Sequence, residues 1–204
     1  MYNQKQKYSI LLNIFIIIFE IIGITIYVMD NNYFDFTYYT HDSNVLALIS
    51  SSIYLVYILK RKEIPKWLSL LKYATILSLT ITFLMVIFVL LPIYNFDYNF
   101  IFFKGSMLYF HIICPILTII SFIFFEKHNI DDRLSFVRSM YLSMLYLVII
   151  LILNINDVLK GPYPFLMVKQ NPISDSVIWI LSILCGAVIV SKCIQIIKKK
   201  VKVD

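Results

Sequence analysis

Six long apolar stretches, separated by short polar segments, constrain this chain more than any other feature of its sequence. The charged residues occur in clumps, and each stretch between clumps has about the 20 residues that a helix needs to cross a bilayer. Because 60% of the 204 residues are hydrophobic and only 15% are charged, little chain remains for a soluble domain. The sequence predicts an all-α integral-membrane bundle of six transmembrane helices in a single domain, residues 1–204. The predicted spans are Tyr8 to Val28, Thr37 to Leu59, Trp67 to Leu91, Gly105 to Phe125, Val137 to Asn154 and Ser176 to Ile197.

The basic residues alternate between the two sides of these spans, and short cytoplasmic loops are the ones that hold Lys and Arg. Fifteen of the 18 fall on one side: Lys5, Lys7, Lys60, Arg61, Lys62, Lys66, Lys72, Lys127, Arg133, Arg138, Lys192, Lys198, Lys199, Lys200 and Lys202. We therefore expect both termini in the cytoplasm. The net charge of +6 follows from this asymmetry and from contact with anionic lipid headgroups, so it gives no argument for a nucleic-acid partner.

The first span carries one polar face. Asn13, Glu20 and Tyr27 recur every seven residues, so they share a side of the helix and are expected to point inward. Glu20 is the acidic residue that the predicted spans place at membrane depth, where a carboxylate marks a functional site by default. The alternative is a protonated Glu20 that makes one interhelical hydrogen bond.

A dense polar cluster begins the second span, where residues 36–44 read Phe-Thr-Tyr-Tyr-Thr-His-Asp-Ser-Asn. An unpaired polar group costs several kcal/mol in hydrocarbon, so these groups must cap the helix, face the bundle interior or line a watery site. Small and polar residues continue from this cluster at helical spacing: Thr40, Ser43, Asn44, Ala47 and Ser51. Close helix packing alone would account for this stripe. Thr37 and Thr40 are also candidate N-caps.

The fourth span contains the second informative group, His111. Small and polar residues share its helical face: Cys114, Pro115, Thr118 and Ser121. A histidine within a membrane span is a candidate functional group, because buried imidazole is rare there and titrates near neutrality. A structural role is the alternative. We expect His128, in the charged loop that follows this span, to be solvated.

Matched depth favours a reaction between the second and fourth spans. Thr40 lies about one turn into its span and His111 about two turns into its own, both from the outer face. A hydroxyl and an imidazole are the parts of a nucleophile and its general base. Thr40 would attack a carbonyl after losing its proton to His111, and Ser43 and Asn44 would bond the developing oxyanion.

Three further residues are candidates at the same depth. Glu20, in the first span, and Asn154, near the outer end of the fifth, fall in the same leaflet and are candidates for orienting the base or binding substrate. Cys114, three residues after His111, is a rival nucleophile. The chain has no glycine-rich phosphate loop, paired-cysteine motif or paired metal-ligand set, so we predict no cofactor and no metal. No disulfide is expected.

These motifs resemble a known family. The 36–44 segment, His111 with Pro115 four residues later, and the Tyr-Pro-Phe-Leu run at 163–166 are similar to the pattern of the six-span androgen-induced and ADTRP proteins and their bacterial relatives. The eukaryotic members are membrane threonine hydrolases that cleave fatty acid esters of hydroxy fatty acids. The resemblance implies a lipid-like ester substrate, a bacterial plasma membrane location and a site in the outer leaflet. It implies Thr40 as nucleophile, with Thr37 as a competing alignment, and His111 as base.

Two other functions stay open at the sequence level. Six spans in about 200 residues with an outward-facing polar pocket also describe the substrate-binding subunit of a vitamin uptake transporter. Such subunits often carry an Ala-x-x-x-Ala face for their partner, and the first span has none. The third possibility is a structural membrane protein whose polar groups only pack helices. No oligomeric state is predicted.

Overall fold

A computed structural model describes residues 2–128, 130 and 132–201. Every regular element among these residues is helical. The main helices, in chain order, are α1 (Gln4–Asn31), α2 (Tyr39–Leu59), α3 (Lys66–Ile93), α4 (Tyr109–Phe125), α5 (Ser135–Ile155) and α6 (Ile173–Lys200). Five of them are long and apolar enough to cross a membrane, whereas α4 is apolar but shorter. The prediction of an all-α membrane protein is thereby confirmed.

Helices α1 to α4 pack as an antiparallel core, and α5 and α6 flank α3. The Ser9 and Tyr54 hydroxyls lie 3.3 Å apart near one end of the α1–α2 pair. The hydroxyl of Tyr2 donates to the carbonyl of Leu59 at 3.1 Å, and Lys198 near the end of α6 also reaches this end of the core. Both chain ends therefore lie at the same end of the bundle, here called the terminal end. The opposite end, where α2 begins, is called the Thr40 end.

The predicted inward face of α1 is confirmed. Asn13 and Glu20 are fully buried, and Tyr27 is 9% exposed. The stripe on α2 is also buried along its whole length. Below the polar residues of the Thr40 end, an apolar layer crosses the core and consists of Ile16, Ala47, Leu79 and Leu117.

The interpretation of Thr40 as an N-cap is wrong. Helix α2 begins at Tyr39, and its N-cap residue Tyr38 makes no side-chain capping bond. Thr40 already lies inside the first turn. The Thr37 hydroxyl donates instead to Asp35 at 2.7 Å, so it orders the segment before the helix. The side chains of both threonines serve other contacts than the free N–H groups of α2.

Helix α4 begins with a widened turn. Pro115 has no N–H, so the regular bond to the carbonyl of His111 cannot form. The preceding turn, Tyr109–Ile113, is π-helical, and the N–H of Cys114 donates to the carbonyl of Tyr109. Here α1 approaches closely, since a Cβ on Gly23 would lie 2.8 Å from the Phe110 ring.

The terminal end contains a buried charge network that contradicts two sequence expectations. His128 is not solvated: its side chain is 0% exposed, and its Nε2 lies 2.6 Å from Oε2 of Glu126. Lys72, which the sequence placed among the cytoplasmic loop charges, is also fully buried and lies 3.1 Å from Oε1 of Glu126. The same oxygen accepts from Ser121 at 2.7 Å and from Asn13 at 2.9 Å.

Electrostatics explain why the network tolerates a buried carboxylate. Burial alone would raise the pKa of Glu126, but the Lys72 ammonium and the His128 ring outweigh it and hold that pKa below its ordinary value. Burial lowers the pKa of His128, although its bond to Glu126 opposes this. At neutral pH the network therefore contains one carboxylate, one ammonium and one neutral imidazole.

Candidate active site

A cavity opens at the Thr40 end between the first turn of α2, helices α3, α5 and α6, and a short 3-10 turn at Pro164–Leu166. It encloses about 740 Å³ of space outside the atoms, its open mouth included, which is much more than the roughly 30 Å³ that one water molecule occupies. Its walls are mostly apolar and include Met85, Leu90, Met144, Leu147, Leu166 and Ile183.

Thr40 lines the polar end of this cavity together with Tyr163. The N–H of Thr40 donates to the Tyr163 hydroxyl at 3.4 Å, and the side chains of the two residues lie close together. Burial raises the pKa of Tyr163 to about 12, so its hydroxyl keeps its proton over the physiological range. Tyr163 lies in the loop between α5 and α6, and sequence reasoning noted it only within the resemblance motif.

Two hydroxyl pairs lie beside Thr40. Ser43 donates to the carbonyl of Thr40 at 2.9 Å and lies 3.1 Å from the hydroxyl of Thr82. The Tyr39 and Ser143 hydroxyls are 2.6 Å apart and join α2 to α5. These bonds fix the first turn of α2 against α3 and α5, and they give the cavity a polar end in otherwise apolar walls.

Asn44 connects the first turn of α2 to α4. Its Nδ2 donates to the carbonyl of Thr40 at 2.7 Å and to that of Phe110 at 3.4 Å. Thr40 and the residue before His111 are therefore bonded to one amide group. The Oδ1 atom of Asn44 has no hydrogen-bond partner within the described ranges.

His111 is 5% exposed and has a defined tautomer. Its Nδ1 lies 2.7 Å from the carbonyl of Ile101, and a carbonyl only accepts, so Nδ1 carries the proton and Nε2 carries the lone pair. This is the form that a general base needs. His111 is nevertheless absent from the cavity wall, and no hydrogen bond joins it to Thr40 in the part of the chain that the structure describes.

His41 is a second buried imidazole that sequence reasoning did not single out. Its Nδ1 lies 2.6 Å from the carbonyl of Asp35, which again leaves the lone pair on Nε2. Its ring packs against Tyr27 at 4.3 Å and against Phe110 at 5.6 Å between centroids. The signal for His41 in the sequence was the seven-residue spacing that places Tyr27 on the inward face of α1. The outer end of that face needs a packing partner on α2.

The other predicted site residues have different surroundings. Glu20 lies beside the Cys114 thiol inside the core and does not line the cavity. Asn154 orders the loop above the cavity: its Nδ2 donates to the carbonyl of Leu159 at 2.9 Å, and its Oδ1 accepts from Val168 at 3.1 Å. The structure thus brings Thr40 to the cavity, with Ser43 and Asn44 bonded to its backbone. It does not bring Glu20, Asn154 or His111 to the cavity wall.

No known protein family, curated protein or solved structure matches this chain. Among the described residues, no three His, Cys, Asp or Glu side chains lie together as metal ligands would. What the site offers is Thr40 among several hydroxyl groups at one end of an otherwise apolar cavity, with the Tyr163 phenol bonded to its N–H. The His41 imidazole on the same turn of α2 and the His111 imidazole on α4 lie outside the cavity wall.

Proposed function

We propose that this protein is an integral-membrane hydrolase of lipid-like esters, with Thr40 as nucleophile and His111 as general base. One observation carries the proposal: Thr40 lines an otherwise mostly apolar cavity together with Tyr163. An ester with an acyl chain has the same division into a polar carbonyl and an apolar tail. The resemblance to the androgen-induced and ADTRP proteins supports the same reaction.

The proposed topology has six spans, with α4 as the short one, and both termini in the cytoplasm. The basic residues support this orientation, since the loops at the terminal end contain most of them. The Thr40 end then lies in the outer leaflet of a bacterial plasma membrane. Helices α5 and α6 expose large apolar side chains such as Leu145, Ile149 and Leu181. A substrate dissolved in the bilayer enters the cavity between these two helices and the core.

The apolar walls fit a flexible chain better than a rigid ring system. Met85, Met140 and Met144 all line the cavity. Methionine is unbranched and adapts its shape to the molecule that it contacts. The lipid bilayer is the source of the substrate, and no cofactor is required.

In the proposed reaction the Thr40 hydroxyl oxygen attacks the ester carbonyl and its proton passes to Nε2 of His111. The alcohol then leaves with that proton, and the acyl group remains on Thr40. A water molecule, deprotonated by the same imidazole, releases the fatty acid and restores the threonine. The Tyr163 hydroxyl, which keeps its proton, is placed to donate to the developing oxyanion.

The proton transfer needs His111 and Thr40 to communicate across Asn44. One water between the Thr40 hydroxyl and Nε2 of His111 provides the connection, and catalytic bonds commonly tighten only once substrate is bound. The widened π-helical turn at Tyr109–Ile113 gives His111 a place where a small rotation is cheap, and such turns are frequent at functional sites.

Labelling with a fluorophosphonate probe of serine and threonine hydrolases tests the proposal. We expect an adduct on Thr40 of the wild type, located by mass spectrometry, and loss of labelling in Thr40→Ala and His111→Ala. Thr37→Ala is the matched control, since Thr37 is the competing nucleophile and is bonded to Asp35. Equal labelling of the wild type and a folded Thr40→Ala protein would refute the proposal.

One observation favours a second function, the binding or transport of a small apolar molecule. The His111 imidazole does not line the cavity, so the cavity is complete as a binding site without a base. Native mass spectrometry of the protein extracted from membranes distinguishes the two. A ligand retained in a protein that no probe labels indicates binding or transport, whereas a probe adduct on Thr40 indicates hydrolysis.

A further inference from the structure

Glu20 has surroundings that neither proposed function uses. The side chain lies in the middle of α1 and is fully buried. The Cys114 thiol is next to its carboxyl group, and neither carboxyl oxygen accepts a hydrogen bond from an N–H or O–H group of the residues that the structure describes. An S–H group is a weak donor. An ionised carboxylate in this position would have almost no compensation.

Two more oxygens without partners lie on the helices that face Glu20. They are Oδ1 of Asn44 on α2 and Oγ1 of Thr118 on α4, and both residues are fully buried. The antiparallel register of α1 and α2, fixed by the bond between Ser9 and Tyr54, brings the turn that carries Asn44 opposite Glu20.

The register of α1 and α4 places Thr118 one turn nearer the terminal end than Glu20, at the level of Ile16. It is fixed by the bond from Asn13 to Ser121 at 3.2 Å near the terminal end and by the contact of Glu20 with Cys114 nearer the Thr40 end. Thr118 lies one turn from Cys114 along α4. The middle of the core therefore contains four unpaired oxygen atoms on three helices, at a depth where each would cost free energy.

Protonation of Glu20 reduces the free-energy cost of these unpaired oxygens. A protonated Glu20 carries no charge and gains an O–H donor for an oxygen on a facing helix. A hard metal ion needs about six oxygen ligands, which is more than these three side chains offer.

The titratable groups on the helices packed against Glu20 do not supply a counter-charge. Cys114 and His111 on α4 and His41 on α2 are neutral groups in their ordinary forms. Asp42 of α2 faces the side of Tyr39 and Tyr146. Lys72 of α3 lies about two turns nearer the terminal end, where it is paired with Glu126.

The core on the terminal side of Glu20 differs in polarity from the core on its Thr40 side. Toward the terminal end the next layer of the core is apolar except for the Thr118 hydroxyl, and its apolar members are Ile16, Ala47, Leu79 and Leu117. A proton does not pass such a layer without water. Toward the Thr40 end, Cys114 adjoins Glu20 and His111 follows one turn earlier on α4, with the lone pair of Nε2 free to accept a proton.

We infer that Glu20 is a proton-binding site inside the core, which exchanges its proton with the Thr40 end of the bundle through His111 and is closed toward the terminal end by the apolar layer. The site is distinct from the cavity at Thr40. It does not depend on whether that cavity hydrolyses an ester or only binds a ligand.

Dicyclohexylcarbodiimide, an apolar reagent that attacks protonated carboxyl groups, tests this inference on the full-length protein. We expect an adduct on Glu20 by mass spectrometry and a labelling rate that falls as the pH rises. Glu20→Gln should lose the adduct. The matched control is Asp132→Asn, because Asp132 is a carboxylate paired with the exposed Lys66 at 2.8 Å, and Glu20 of this variant should still be labelled.

The direction of exchange is measured in sealed vesicles that contain one orientation of the protein, established by protease cleavage at the exposed Arg61. A change of pH at the Thr40 end should change the labelling rate at Glu20 at least several-fold, and the same change at the terminal end should not. The inference is overturned if a folded wild type forms no adduct on Glu20, or if labelling follows the pH of the terminal end. Protection by Na⁺ at constant pH also overturns it, because it would identify a metal-ion site.

Discussion

The Glu126→Gln substitution separates the effect of charge from that of hydrogen bonding in the network at the terminal end. Oε1 of Glu126 accepts hydrogen bonds from Asn13, Ser121 and Lys72. A Gln side chain with its oxygen in this position keeps all three. The NH₂ group of the Gln then faces Nε2 of His128. The neutral ring accepts a hydrogen bond there once its proton has moved to Nδ1, an atom that has no partner among the described residues.

The substitution therefore removes only the negative charge opposite Lys72. That ammonium is 0% exposed and would keep its bonds to Asn13 at 3.0 Å and to Ser51 at 3.2 Å. Removing one partner of a buried ion pair costs roughly 3–5 kcal/mol, because the other charge stays in a medium of low dielectric constant. We expect a loss of this size in the free energy of unfolding. The double variant Lys72→Met with Glu126→Gln removes both charges and should recover most of it.

The measurement is reversible unfolding in mixed micelles by increasing amounts of sodium dodecyl sulfate, followed by circular dichroism. The matched control is Asp132→Asn, which breaks a pair with Lys66 at 2.8 Å where the Lys66 side chain is 53% exposed. Water screens that pair, so the control should unfold like the wild type. The reasoning fails if Glu126→Gln costs no more than the control, or if the double variant is less stable than Glu126→Gln.

Three other outcomes follow from the structure. Folding lowers the pKa of His128 and that of Glu126. Each group therefore contributes to the free energy of unfolding at a pH above its ordinary pKa, and this contribution is lost as the pH falls. The free energy of unfolding should therefore decline below about pH 6.5, and less so in His128→Gln. Gly161→Ala should lower the midpoint of thermal unfolding. The φ of Gly161 is 93° and the new Cβ would lie 2.9 Å from loop backbone, at a cost of about 1–3 kcal/mol. Gly186→Ala, where the new Cβ meets open space, should raise the midpoint slightly. Asn154→Ala removes the bond to the carbonyl of Leu159 and should cost about 1–3 kcal/mol, read as faster trypsin cleavage of the loop above the cavity, whereas the N–H of Val168 keeps its bond to the carbonyl of Leu166.

Periodicity predicted the parts of the fold that depend on one helix at a time. The seven-residue spacing of Asn13, Glu20 and Tyr27 identified an inward face before any partner was known. The span boundaries follow from hydropathy in the same way. Such predictions succeed because burial of a helix face is a local property of the sequence.

Charge near the ends of helices was harder to interpret. His128 stands in a charged, loop-like segment, whereas Lys72 lies near the start of the predicted third span, and both are buried because Glu126 lies between them in space. That pairing joins positions 54 residues apart on α3 and the loop after α4, and no local pattern encodes it. The contact between Thr40 and Tyr163 is of the same kind, since it depends on how the loop between α5 and α6 folds back over α2.

Lys198 has a consequence for the order in which the bundle assembles. Its ammonium donates to the carbonyls of Ile123, at 3.1 Å, and of Glu126, and so caps the open end of α4 from the last helix of the chain. Because α6 is synthesised after the helices of the core, these carbonyls cannot gain their bonds to Lys198 until α6 docks. Burial of this end of α4 therefore depends on a helix that follows the whole core in the sequence.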